Sequence, residues 1–265
     1  MTCPPAPPAR VVVPLPPLLA AVGHVYRRLP AVRGKYAVAQ RLLAPLLRGR
    51  GYRTVVSMRN AGGGRLVCCL DDWIPWNVFA FGRYLAEASY ERFMLSCVHD
   101  TPATIFDIGA NIGYYAVQFA RVACPPATVH AFEPVSAQAA LLRENVGLNR
   151  LHNVVINQAA VSDRAGAQRI YVAAGSNTGQ SSLARVSPHS EQVDTVTVDE
   201  YCASRSIARI DLVKIDVEGH ELQVLKGMAG MLRDGRVARV CTEAEADLLA
   251  ANQASGLSPR LYSMV

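Results

Sequence analysis

Thr104-Ile105-Phe106-Asp107-Ile108-Gly109-Ala110-Asn111-Ile112-Gly113, followed by Phe132-Glu133-Pro134, is the stretch on which the fold turns. A short apolar strand ends in an acid, a glycine turn follows, and a helix begins. A second apolar strand, Ala127 to Phe132, then also ends in an acid. This layout holds a nucleoside-bearing ligand at the carboxyl edge of a parallel sheet. The glycines let backbone approach the ligand. A helix opening near Asn111 offers unpaired N–H groups to a carboxylate, and Glu133 can accept hydrogen bonds from both ribose hydroxyls.

The spacing separates two cofactor classes. A dinucleotide fingerprint places two glycines around one residue, where a pyrophosphate packs on the turn. Here Asp107 stands in place of the first glycine, giving D-x-G-x-N-x-G. An acid there repels a pyrophosphate but suits the α-ammonium of an amino-acid moiety, which favours S-adenosylmethionine over NAD.

Outward from this run, strands and helices alternate in the pattern of a parallel α/β sheet. Strands are expected at 104–108, 127–132, 153–158, 209–215 and 236–242, and helices near 112–122, 136–148, 199–204, 220–233 and 245–253. Residues 167–198 read as an insertion of short antiparallel strands around the polar loop 175–182. In front lie a proline-rich tail (1–17) and an extension (18–100), leaving 101–265 as the cofactor domain. The extension carries a helical stretch broken at Pro30, two short β segments around Gly62-Gly63-Gly64, and a helix from about Tyr84 to Val98.

Of the 265 residues 51% are hydrophobic, enough for a large core and too apolar for general disorder. Seven cysteines without C-x-x-C spacing argue against a zinc site or a disulfide framework and for a reducing cytoplasm. Val11 to Val22 is too short and proline-rich to span a bilayer and lacks a convincing cleavage site. The net charge of +6 conceals an asymmetry: residues 1–70 hold eleven Lys or Arg and no Asp or Glu, so the remainder is net −5. Within that basic segment Tyr36, Val38, Leu42, Leu43, Leu46 and Leu47 form an apolar stripe. It suits a helix docked on the core with solvated arginines, with weak contact to a membrane surface as the alternative. Nucleic acid fits poorly, since few aromatics interleave with the arginines.

A second cluster, Lys214-Ile215-Asp216-Val217-Glu218-Gly219-His220-Glu221, follows an apolar strand. Ionisable groups packed so closely at a sheet edge mark a functional site. Taken in order, Asp107 to Gly113, Phe132-Glu133-Pro134, Asn177-Thr178-Gly179-Gln180-Ser181-Ser182 and Lys214 to Glu221 resemble the FkbM family of S-adenosylmethionine-dependent methyltransferases.

The resemblance implies a class I methyltransferase fold, Rossmann-like and doubly wound, that transfers methyl to a hydroxyl on a sugar, glycolipid, polyketide or other small metabolite. It implies a cofactor turn of Gly109, Ala110, Asn111 and Gly113, with Asp107 and Asp216 nearby, Glu133 on the ribose, and Ala159, Ala160 and Val161 along the adenine. A neutral hydroxyl is a weak nucleophile, so a base should assist. His220 is the first expectation and Asp216 the second, as base or beside Glu218 at a divalent cation, with Lys214 in the same constellation. Asn177, Gln180, Ser181, Ser182 and Glu218 are expected to meet the acceptor. N-methylation on the same fold and a non-catalytic nucleoside-binding scaffold are the alternatives. With only a short tail after Glu243, the closing antiparallel hairpin of such a sheet is expected to be truncated or replaced.

Overall fold

The apolar runs that end in polar residues become the strands of one parallel sheet. The computed structural model describes residues 13–30, 32, 34–99, 102–172, 183 and 189–242, with the backbone of 260–263. Strands Pro102–Ile108, Cys124–Phe132, Val154–Asn157, Leu212–Ile215, Arg239–Thr242 and Arg260–Ser263 form a six-stranded sheet. From one edge the order is 260–263, 239–242, 212–215, 102–108, 124–132, 154–157, and every pairing is parallel. Strand order reverses between Pro102–Ile108 and Leu212–Ile215, which opens a ligand crevice at their carboxyl ends. The central strands read as continuous apolar runs because both faces are covered: Ile105, Phe106, Leu212, Val213 and Ile215 are fully buried. In keeping with the expectation that the closing hairpin is truncated or replaced, Arg260–Ser263 lies in parallel beside Arg239–Thr242 among the described residues. The helix expected at 245–253 falls outside the described residues.

Helices Tyr114–Val122, Ser136–Leu148 and Val198–Ser204 match expectation closely. The helix expected over 220–233 is instead two, Glu221–Lys226 and Ala229–Arg233. A Cβ on Gly227 would lie 2.0 Å from the Ser162 carbonyl oxygen, so this chain crossing admits no side chain. The Asp199 carboxylate then accepts from the Gly230 and Met231 amides (2.8 and 2.9 Å) and restarts the helix as a cap.

The insertion forms a second sheet, with Gly166–Val172 antiparallel to His189–Val196 and Ala160–Val161 parallel to the latter. The extension contributes a hairpin, Tyr52–Ser57 with Arg65–Cys69, edged by Val13–Pro14. It also holds two helices where one was expected, Trp73–Phe81 and Ala88–Val98. Pro75 sits in the first turn of the earlier helix, where its missing N–H costs nothing. One buried cluster runs from Tyr26, Trp76, Phe79 and Met94 of the extension to Ile105, Phe119 and Val129 of the sheet.

Helix Pro17–Arg28 packs on Trp73–Phe81. The next helical stretch, 35–47, contains a π-helical turn over Ala39–Leu43. Its core contacts come from Ala39, Ala44 and Leu47. Of the apolar stripe expected to be docked, Leu47 is buried and Leu43 half-buried, whereas Tyr36, Val38, Leu42 and Leu46 face solvent. The stripe reading was correct for periodicity and wrong for which side meets the core, because Ala39 and Ala44 make the close contact together with Leu47, while Val38, Leu42 and Leu46 turn outward.

Candidate active site

Parallel register sets the site's electrostatics. Lys214 stands directly beside Asp107 on neighbouring strands, and both side chains are buried. Lys214 Nζ donates to the Gly109 carbonyl (3.0 Å), pairs with Asp216 Oδ2 at 3.2 Å, and lies 3.5 Å from Asp107 Oδ1. Burial alone would lower the lysine's pKa. Asp216, Asp107 and Glu87 together outweigh it and hold the ammonium above the usual range. Burial pushes Asp107 upward, with Lys214 opposing and Asp216 adding to the rise. Its carboxylate oxygens make no hydrogen bond among the described residues.

The turn after Asp107 is tighter than a ligand cradle alone requires. Gly109 has φ +78°, and a Cβ there would stand 1.9 Å from the Asp216 carbonyl oxygen. This glycine serves the approach of two strand ends rather than of a ligand. Ala110 N donates to the Phe132 carbonyl (2.9 Å), Asn111 N to Glu133 Oε2 (2.8 Å) and Gly113 N to the Ala110 carbonyl (2.8 Å). The helix opens at Tyr114, not near Asn111. The amides of Ala110, Asn111 and Gly113, expected to be available to a ligand, are therefore already engaged. The turn instead presents Asn111 at φ +49°, its buried Oδ1 unpartnered among the described residues.

Glu133 is buried and accepts from Asn111 N on one oxygen and Val135 N (2.9 Å) on the other. Burial raises its pKa to about 7, against the pull of those two amides and of Lys214. Each oxygen keeps a second lone pair, the arrangement a vicinal diol requires.

Asp216 is half-buried at the strand end, and Glu218 follows with φ +54°. His220 caps the next helix and is buried, its Nε2 3.0 Å from Ser162 Oγ, which in turn donates to Asp163 (3.1 Å). Burial lowers the imidazole's pKa, opposed by Asp163 and Glu221. His220 thus sits against the Ala159–Ser162 side.

A cavity of about 430 Å³ joins these groups. Gly109, Ala110, Asn111, Glu133, Ala160, Lys214, Asp216, Glu218 and His220 line it; Asp107 and Gly113 do not. Asn177, Gln180, Ser181 and Ser182 lie outside the described residues, although the adjoining Leu183 lines the cavity. Sequence reasoning missed a whole wall: Trp73, Ile74, Tyr84 and Glu87 from the extension, with Tyr114 and Tyr115 from the helix after the turn. Tyr115 donates to Glu87 and lies under Lys214, whose Nζ is 5.4 Å from the ring centroid. Two consecutive tyrosines opening a helix were the available signal, since a one-sided helix buries only one of two neighbours. Among the described residues no group of three or more His, Cys, Asp or Glu could hold a metal ion.

Known proteins resemble this chain in sequence. The chain is 36% identical over 154 residues to 31-O-demethyl-FK506 methyltransferase FkbM of Streptomyces tacrolimicus, covering 47% of this chain and 58% of that one. It is 29% identical over 153 residues to 2-O-methyltransferase NoeI of Sinorhizobium fredii (51% and 61%). It is 32% identical over 142 residues to hexuronic acid methyltransferase AglP of Haloferax volcanii (49% and 51%). The matches thus span between half and two thirds of these curated relatives. The family model described as the methyltransferase FkbM domain matches residues 107–247, more than half of the chain, and takes in the turn, Glu133, the polar loop and the Lys214-to-Glu221 cluster. On that extent of match, the chain belongs to the FkbM methyltransferase family.

Proposed function

We propose that this protein transfers a methyl group from S-adenosylmethionine to a hydroxyl of a small acceptor, a sugar, glycolipid sugar or polyketide-like metabolite. The observation that carries the reading is the single cavity in which the motif turn, Glu133 and the Lys214–Asp216 pair meet aromatic and acidic side chains of the extension. Relatives named for 31-O, 2-O and hexuronic acid methylation support an oxygen acceptor of this size.

The residues present fit the cofactor. Glu133 has lone pairs left for a ribose, and Ala159, Ala160 and Val161 form an apolar wall suited to a purine. Asp107, Asp216 and Glu87 all act on the Lys214 ammonium, so among the described residues acids outnumber it, a balance suited to a sulfonium and an α-ammonium. When bound, the cofactor supplies an already activated methyl group.

The protein's part is alignment and proton removal. Orientation supplies roughly 7–11 kcal/mol where geometry is favourable. Lys214 stays protonated, so it acts as a positioning residue that fixes Asp216 and the Gly109 carbonyl. Asp216 is our candidate base, placed to accept the proton that the acceptor hydroxyl gives up on methylation; the bound cofactor would supply the methyl by loss of its carbon–sulfur bond and leave as the neutral thioether. His220, turned toward Ser162, holds the purine wall. Trp73, Tyr84 and Glu87 make residues 18–100 the acceptor-side wall of a domain spanning 101–265. A cytoplasmic setting suits the six free thiols among the described residues.

Calorimetry with S-adenosylmethionine tests the cofactor, and absence of binding would sink the reading. On an identified acceptor, Asp216→Asn is expected to lower kcat by about 10²–10⁴-fold, with cofactor Kd changing less than kcat. His220→Asn is expected to move cofactor Kd instead. The opposite split would give His220 the proton.

A further inference from the structure

Nine of the twelve large apolar side chains exposed among the described residues fall between Leu18 and Leu46. In helix Pro17–Arg28 the exposed Leu18, Val22 and Val25 recur at helical spacing and form one stripe, continued by Leu29 just past the helix end, while Gly23 and Tyr26 face the core. In the following stretch Val38, Leu42 and Leu46 do the same, opposite Ala39 and Leu47. The two stretches are tied together: Lys35 Nζ donates to the Leu29 carbonyl (2.6 Å) and lies 5.3 Å from the Tyr26 ring centroid. The outcome is a helical surface that is apolar on both sides, one buried and one bare.

Charge decides what covers the bare side. Arg28, Arg41 and Arg50 are exposed on the same segment, and no Asp or Glu occurs in residues 1–70. The next acid along the chain, Asp71, has its carboxylate taken by the Gly49 and Gly51 amides (2.6 and 3.1 Å). A second copy of this chain would bring two uncompensated basic segments together. A nucleic acid would meet the arginines but leave the leucines in water. Only a layer that is apolar beneath an anionic surface satisfies both sets.

We propose that the 18–46 face docks on an anionic lipid bilayer surface, with Leu18, Val22, Val25, Leu42 and Leu46 entering the headgroup–acyl boundary and Arg28 and Arg41 meeting the headgroups. No helix among the described residues is long and apolar enough to cross a membrane; the proposed contact is an in-plane one. Beside the acceptor reading above, such a surface would hold the enzyme where lipid-linked hydroxyls are concentrated.

Co-sedimentation of the full chain with vesicles tests this. Vesicles of phosphatidylcholine with a minority of phosphatidylglycerol are expected to bind at least about tenfold better than phosphatidylcholine alone, and added salt is expected to weaken binding by screening. Leu42→Ser with Leu46→Ser, at 62% and 53% exposed positions, is expected to lower binding at least about tenfold. Arg28→Glu with Arg41→Glu should act similarly. Circular dichroism and S-adenosylmethionine affinity should be unchanged in both, which separates this proposal from the cofactor reading. A folded chain without preference for anionic vesicles would overturn it. So would a concentration-dependent dimer that the leucine variant dissolves, since a second copy would then occupy the face.

Discussion

Lys214 is the residue on which the site's charges balance. Replacing it with Met leaves Asp107 buried without its counter-ion, and removal of one partner of such a pair costs about 3–5 kcal/mol. Denaturant unfolding of Lys214→Met should show a loss of that size, together with cofactor binding weakened beyond what stability explains. Glu133 makes a second, pH-dependent prediction. Its pKa is raised from 4.5 to about 7, so the unliganded fold gains from the neutral carboxyl below about pH 4.5 and loses that gain as pH rises through about 7. Ribose hydroxyls donate to the ionised form, so cofactor affinity runs the other way. It should rise about tenfold per pH unit up to about pH 7 and level off above. Glu133→Gln should flatten the profile in calorimetric titrations. Much of this was legible: Asp107, Glu133, Lys214 and Asp216 all follow from acids and a lysine at the ends of apolar runs. The partner that completes the set, Glu87, was not, because nothing in a lone acid of the extension says which strand end it will face.

At the scale of elements, close approach governs. Gly109→Ala adds a methyl 1.9 Å from a carbonyl oxygen in a left-handed conformation. Strain and overpacking, each worth about 1–3 kcal/mol, act together there. A fall in Tm larger than that of Ala110→Gly would confirm that strand packing, not cofactor contact, fixes this glycine. The helix Ala88–Val98 is anchored by Glu91, fully buried, which accepts from Arg83, Asn60 and Tyr114. Glu91→Ala should cost about 1–3 kcal/mol by leaving Asn60 and the buried Tyr114 hydroxyl without their acceptor, read as a shift in denaturant midpoint. Strands were the legible elements, since a parallel sheet buried on both faces prints as continuous Val, Ile and Phe. Trp73–Phe81 escaped notice because it is buried nearly all round and shows no periodicity. The break between Glu221–Lys226 and Ala229–Arg233 comes from a chain crossing at Ser162 that lies far away in sequence.

Across the whole molecule, the excess of basic charge and most of the bare apolar side chains among the described residues fall in the segment that precedes the cofactor sheet. The periodicity of that segment was visible in the spacing of its apolar residues; its orientation was not, because both of its faces are apolar and only packing tells them apart. The core that runs without interruption from Phe79 and Met94 into Phe119 and Val129 has a thermodynamic corollary. Ligand held at the sheet edge stabilises every element that must open with it, by RT ln(1 + [L]/Kd), or about 2.7 kcal/mol at a hundredfold excess over Kd. Amide hydrogen exchange should therefore slow on addition of S-adenosylmethionine in Trp73–Phe81 and Ala88–Val98 as well as in the turn. Elements that share one opening event with the pocket thus act as reporters of its occupancy.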